Sequence, residues 1–357
     1  MRAQDIVSTK ALKLTHTEVA SNKIPYLGAG LFPNVKKMGI DLKQIRTAKG
    51  LPVTLDPSAY DTVSTIRSRE GFKVDETEMA FFKESTLVKE RDKIELLRVQ
   101  DANDPYALEV YKSVFNDFET LYDSADVVAE RMRMQLLSSA GGHPSISLKG
   151  DGATYEYNYD PNGEYAANNY VELTGTSAWT DTTNSDPIAD VKRAKKAVKK
   201  MWGADPELLI INDNTMDLLI ANAKVRQYIL SQNVTAIVNV DETTVSDIFK
   251  LLAKVTLVNY DKAFKNESGV AQDFYPDGFA TLVPNGALGN TYYGTTPDEI
   301  ELLNGAEVDT VVLDDKVTVT VTHTSDPAQT KTTLSEVLLP SFERMFETYT
   351  IKHSQNV

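Results

Sequence analysis

His16, His143, His323 and His353 are the side chains best suited to proton transfer or metal binding near neutral pH, and their placement argues against both roles. They are far apart in the chain. None belongs to a helical His-Glu-x-x-His pair, which would set two imidazoles on one metal. Each therefore reads as a surface or structural residue. The sequence has no cysteine, so thiolate nucleophiles, disulfides and cysteine zinc sites are excluded together, and the composition suits a reducing compartment. Gly28-Ala29-Gly30 opens like a dinucleotide fingerprint, but Pro33 stands where the third glycine belongs and no buried strand precedes it. The acidic run 181–186 lacks the glycine and distal glutamate of a calcium loop and reads as a solvated link. Asn233-Val234-Thr235 and Asn266-Glu267-Ser268 match the glycosylation pattern, yet residues 1–23 carry no apolar signal segment, so both are expected to stay unmodified. There is no nucleophile elbow, Walker loop or kinase signature, and no two carboxylates stand out as an acid and its base. No catalytic residue, cofactor or metal is expected, and the chain reads as a non-enzyme.

The element that dominates the sequence is one long predicted helix over residues 104–140. Tyr111, Phe115, Phe118, Tyr122, Ala125, Ala129, Met132, Leu136 and Ser139 recur at steps of four and three, which puts them on one face. Asp104 and Pro105 suit its first turn, and Gly141 and Gly142 offer a left-handed stop. Some 36 residues at 1.5 Å each reach roughly 54 Å, more than a compact domain needs. Charged residues interrupt every apolar run, so the helix does not read as a membrane span. Its aromatic, Ala and Met seam lacks the Leu and Ile of a coiled coil, and it is expected to lie across β structure from elsewhere in the chain.

Around this spine the 357 residues divide by character, with 41% hydrophobic and 25% charged residues typical of a globular chain. Residues 1–23 read as an extended polar arm. From Arg67 to Arg98 eight basic and eight acidic residues make up half the segment, too many charges for a core of its own. That piece reads either as a disordered linker or as a long two-stranded loop meeting charges on a neighbouring subunit. Tyr155, Tyr157 and Tyr159, then Asp160-Pro161-Asn162-Gly163, then Tyr165 and residues 170–173 predict a β-hairpin. Residues 187–260 alternate as helix 187–202, strand 208–211, helix 215–230, strand 236–240, helix 244–254 and strand 256–260. Strand 279–283 and a short helix 297–303 follow. The tail, at 308–313, 317–322, 332–339 and 348–352, is dense in Val, Thr and Ile and reads as strands that could pack beneath the long helix.

The net charge of −14 argues against tight nucleic-acid binding over the whole surface but leaves room for loose contact. One basic patch stands out, Lys192, Arg193, Lys195, Lys196, Lys199 and Lys200, on helix 187–202. Opposite it lie Ile188, Val191, Ala194, Val198 and Met201, so the patch reads first as a solvated helix face.

Several short segments, in order along nearly the whole chain, carry a family resemblance. They are Leu31-Phe32-Pro33 with Lys36-Lys37 and Gly39-Ile40-Asp41; Ile66-Arg67-Ser68-Arg69-Glu70-Gly71-Phe72; Phe82-Lys83-Glu84; Gly286-Ala287-Leu288-Gly289; Tyr293-Gly294-Thr295-Thr296-Pro297; and Ser335-Glu336-Val337-Leu338-Leu339-Pro340-Ser341-Phe342. In these the chain resembles the major capsid proteins of tailed bacteriophages, the lambda-like capsid protein E family. The resemblance implies an α+β, Hong Kong-type phage capsid fold. Its parts would be an N-terminal arm (1–50), an extended loop (51–97), a peripheral domain (98–185 and 318–357) with the spine helix 104–140, and an axial α/β domain (186–317). It implies self-assembly into pentamers and hexamers of an icosahedral shell, in the bacterial host cytoplasm, around double-stranded DNA held without specific binding. Portal, scaffold and decoration proteins would be further partners, and no membrane is involved. By the same analogy Arg67, Arg69, Glu70, Lys83 and Glu84 are expected to make ion pairs between subunits. An encapsulin-like compartment shell is the nearest alternative, and an α/β enzyme built on residues 186–317, or a tail-tube protein, the more distant ones.

Overall fold

A computed structural model describes residues 8–10, 12–13, 26–46, 73–98, 105–150, 154–232, 240–266, 268–303 and 309–354. The chain divides into two compact units, residues 1–43, 76–132 and 290–341 in the first and residues 44–75, 133–289 and 342–357 in the second.

In the first unit the longest strand, Ala328–Pro340, pairs antiparallel on one side with Val317–Ser325 and on the other with Ala80–Val88. Asp309–Leu313 continues the sheet beyond Val317–Ser325. Thr291–Tyr293 pairs antiparallel with the end of the long strand and parallel with Asn34–Lys36. Alternating Val317, Val319 and Val321 turn one way from this β-branched strand, and with Leu313 and Leu334 they meet Phe115, Phe118, Leu121, Tyr122 and Ala125 of the long helix. The helix therefore lies across the tail strands, as its aromatic stripe predicts. A tight turn is pinned to it as well: Tyr122 donates its hydroxyl to Asp314 at 2.6 Å, and Lys316 pairs with Asp126 at 3.0 Å. Asp314 and Asp315 in that turn both take left-handed backbone angles.

The helix runs from Pro105 to Ser138. Its expected glycine stop comes slightly early, because Ser139 adopts the left-handed conformation, its hydroxyl bonded to the Leu136 carbonyl at 3.1 Å, while Gly142 supplies the next turn. Asp104 lies outside the described residues. The arm differs from its extended expectation too. Residues 8–10 and 12–13 hold a helical turn, since Leu12 finds burial among Phe115, Phe118 and the tail strands and Thr9 bonds Asp309.

The second unit is a five-stranded sheet in the order Tyr170–Glu172, Tyr349–Lys352, Phe279–Val283, Leu208–Ile211, Thr256–Asn259. Only its two outer pairs are parallel. Ile188, Val191 and Ala194 of helix Pro187–Trp202 and Val245, Ile248 and Phe249 of helix Glu242–Leu252 bury against it. Asp186 accepts from the Ala189 amide at 3.0 Å, Pro187 opens the first turn and Gly203 takes the left-handed cap, so helix 187–202 has the predicted limits.

Three predicted elements are corrected. The charged segment read as a linker or two-stranded loop instead gives the strand Ala80–Val88 to the main sheet and ends in a helix, Glu90–Arg98. The tyrosine strand, Thr154–Asn158, pairs backward with Ser145–Lys149 rather than forward with 170–172. After Gly163 the chain enters helix Glu164–Asn168 because Asp160 accepts from the Ala166 amide at 3.0 Å, and Tyr170–Glu172 then pairs parallel with the C-terminal strand. The single helix expected over 215–230 is two, Asp213–Ala221 and Ala223–Gln232. Asn222 breaks it by capping the second piece, accepting from the Val225 amide at 3.0 Å while donating to Ser185. The strand expected at 236–240 falls almost wholly outside the described residues.

Candidate assembly interface

Two of the segments that carried the family resemblance, 31–41 and 293–297, meet in the first unit around one turn, while 66–72 lies outside the described residues and 286–289 belongs to the second unit. Phe32 and Pro33 carbonyls accept from Thr291, at 3.1 Å from its hydroxyl and 2.9 Å from its amide. The short helix Leu27–Leu31 places its Gly28 amide on the buried Glu130 carboxylate at 2.8 Å, so a carboxylate of the chain itself occupies the place a nucleotide phosphate would take. Lys36 then pairs with Glu299 at 2.7 Å and donates to the Gly294 carbonyl at 3.1 Å. Gly39, at φ +91°, exchanges two bonds with Thr295, its amide donating to the hydroxyl at 3.2 Å and its carbonyl accepting from the amide at 3.1 Å. Ile40 closes the turn by accepting from the Met79 amide at 2.8 Å. Thr296 caps helix Pro297–Leu303 through the Glu299 amide and bonds Thr318 at 2.9 Å.

This tightly tied turn carries Met38, 73% exposed, and Ile40, 44% exposed. Because the backbone beneath them is already fixed, covering these side chains costs a partner no further backbone ordering, which is how preorganised contact points gain affinity. Met38 was not singled out in the sequence. The usable signal is a methionine between Lys37 and Gly39, where a solvated turn has no core to offer it.

Of the five residues expected at an interface, Arg67, Arg69 and Glu70 lie outside the described residues. Lys83 and Glu84 sit on strand Ala80–Val88, where Lys83 faces Ser335 and Glu84 faces Leu334 across the ladder. Alternation along a strand sends these neighbours to opposite faces of the sheet, so they do not form one patch. Lys83 already pairs with Asp298 at 3.0 Å, and the Ser335 hydroxyl donates to the same carboxylate at 2.8 Å. Glu84 is exposed. Asp298 is the member of this cluster that the sequence did not reveal, because 215 residues separate it from Lys83.

Within the second unit, His353 is the one histidine of the three described that is fully enclosed, at 1% exposure. It stacks on Trp179 with ring centroids 4.6 Å apart. Thr215 donates its hydroxyl to Asn212 at 2.7 Å, so at 3.0 Å it accepts from His353 Nε2, which fixes the neutral tautomer. Burial lowers the imidazole pKa from 6.5 to about 4. The arrangement ties the C-terminal segment to helix Asp213–Ala221 and leaves the imidazole no room for a substrate. In the link at 181–186, Asp181 accepts from the Thr183 and Asn184 amides and Asp186 caps the next helix, so both carboxylates serve turns. Among the described residues no cluster of three or more His, Asp or Glu is arranged to hold a metal ion, and no helix is long and apolar enough to cross a membrane.

Comparison with known proteins decides the affiliation. The family described as phage major capsid protein E matches residues 10–351. The chain belongs to that family. Among solved structures, this capsid protein is similar to a putative capsid protein of a prophage from E. coli CFT073, with a TM-score of 0.60 and 15% identity over 98% of this chain and 99% of that one. It is also similar to a phage-related protein from Bordetella bronchiseptica RB50, with a TM-score of 0.56 and 16% identity over 97% of each chain. No curated protein matches closely enough to count as a relative. The fold is the α+β, Hong Kong-type capsid fold expected from the sequence, and the family and fold are those of a structural shell protein.

Proposed function

We propose that this capsid protein assembles with copies of itself into pentamers and hexamers, which close an icosahedral shell around double-stranded DNA in the host cytoplasm, and that it catalyses no reaction. The observation that carries the reading is the Lys36–Asp41 turn, fastened at six points yet presenting Met38 and Ile40 to solvent. Such a rigid apolar knob suits a contact that another copy completes. Many contacts of this kind, each weak alone, add through multivalency to a durable container whose assembly stays correctable.

In this reading residues 1–50 are the arm, 51–97 the loop, rooted in the chain's own sheet through Ala80–Val88 and laid over an adjacent subunit with its remainder, 98–185 with 318–357 the peripheral domain and 186–317 the axial domain. Arg67, Arg69, Glu70, Lys83 and Glu84 contribute ion pairs across subunits, Lys83 keeping its bond to Asp298 while its remaining donors turn outward. Portal, scaffold and decoration proteins complete the assembly. The family match supports a viral shell over an encapsulin-like compartment.

Electron microscopy of the purified protein tests the proposal. Closed particles with fivefold and sixfold clusters are expected; a monodisperse monomer at high concentration overturns it.

A further inference from the structure

The basic helix Pro187–Trp202 holds charges that the assembly reading leaves unused. Its six cations are of two kinds. Arg193 pairs with Asp190 at 2.8 Å, Lys195 reaches Asp205 at 3.4 Å and the Lys254 carbonyl at 2.8 Å, and Lys199 lies 3.7 Å from Asp205. Lys192, Lys196 and Lys200 are exposed and have no ion-pair partner among the described residues.

Their spacing is regular. Steps of four residues keep the three on neighbouring positions of one ridge, each about 6 Å of helix rise from the next. The opposite side, Val191, Ala194 and Val198, is buried in the core, so the ridge cannot rotate inward. Gly203 caps the helix beyond Lys200 and Asp186 caps it before Lys192, so the backbone beneath the ridge is held at both ends.

We infer that Lys192, Lys196 and Lys200 form a phosphate-contacting ridge through which this capsid protein holds double-stranded nucleic acid loosely, without regard to sequence. The inference rests on the shell reading above, which brings a polyanion to the protein. Two arguments favour a nucleic-acid backbone over a second copy of the chain. First, the ridge consists of lysines alone, with no arginine or aromatic anchor, and lysine is depleted where proteins bury surface against each other. Second, compact ammonium groups on flexible stems suit point contacts to phosphates and carry no base readout. The net charge of −14 does not oppose this. At physiological salt, charges farther than about 8 Å are largely screened, so local cations govern local contact. With only three cations the contact stays weak and releasable, which a packaged genome requires.

The test compares the wild-type chain with K192Q/K196Q/K200Q and K192R/K196R/K200R, measuring binding to a duplex of arbitrary sequence across low to moderate salt. Each phosphate contact contributes about −0.9 to the slope of log affinity against log salt, so the glutamine variant is expected to have a slope shallower by about 2 to 3. The arginine variant is expected to keep the wild-type slope. Circular dichroism checks that all three are folded. Equal slopes for wild type and glutamine variant, or no duplex binding by wild type at low salt, overturns the inference. So does loss of particles in the glutamine variant with DNA binding unchanged, which would make the ridge a contact between copies. Absence of wild-type particles would instead sink the shell reading, and the slope comparison would still decide the ridge.

Discussion

A β-carbon placed on Gly294 would stand 2.6 Å from the carbonyl oxygen of Gly39. The same carbon would lie 2.8 Å from Met79 Cε and from Val337 Cγ1. Gly294 also donates its amide to the Val337 carbonyl at 2.8 Å, so its backbone cannot retreat. The close approach is what lets the Lys36–Asp41 turn sit on the segment leading into helix Pro297–Leu303. Gly294→Ala is therefore expected to destabilise the first unit by about 1–3 kcal/mol, as overpacking does. A lowered midpoint of chemical unfolding, with fewer particles, would bear this out; an unchanged midpoint would contradict the clamp.

Met38→Asp and Ile40→Asp address the knob itself. Both side chains are largely in solvent, so folding stability should change by no more than about 0.5 kcal/mol. Particle yield by sedimentation should fall several-fold. Full yield from both variants would remove the knob from the interface.

Charge reversal of Arg67 and Arg69 to glutamate is expected to reduce particle yield while leaving the unfolding midpoint alone, if these cations pair across subunits. Lys83→Gln should cost under about 1 kcal/mol of stability, since its pair with Asp298 is partly open to water and screened. A larger loss would mean that the pair is a structural strut.

His353 predicts a pH dependence. Its folded pKa, about 4, lies below the ordinary 6.5, so between those values the unfolded chain binds a proton that the folded chain does not. Stability is then full above about pH 6.5 and declines as pH falls toward about 4, at about 1.4 kcal/mol per pH unit and about 3 kcal/mol in all. His353→Gln should flatten this portion of the stability profile relative to wild type. Parallel profiles would show that the imidazole is not the group responsible.

Asn222→Ala removes the cap of helix Ala223–Gln232 and leaves Ser185 without its amide partner. A loss of about 1–3 kcal/mol is expected from the combined cap and buried hydrogen bond, measured by thermal unfolding. No change would mean that water replaces both contacts.

Local patterning determined much of this protein. The aromatic stripe of the long helix, the capped helix 187–202, the strand 279–283 and the β-branched tail strands are where the sequence places them, because each carries its own periodicity or end signals. The ordered segments that resemble capsid proteins also stood in the sequence. Pairing did not. Tyr155 and Tyr157 announce a strand but not its partner, which turned on whether Asp160 would cap a helix or close a hairpin. Asn222 fits a continuous helix by composition, and the break is favoured by the nearby Ser185 and by the Thr182 carbonyl, which accepts from the Ala223 amide. Asp298, Glu299 and Gly294 acquire their roles from Lys83, Lys36 and Gly39, more than two hundred residues away, and no local signal carries such distances. Where a segment carries its own periodicity or caps, the sequence specified helix or strand; long-range burial and hydrogen bonding chose the neighbours and left Met38 in solvent.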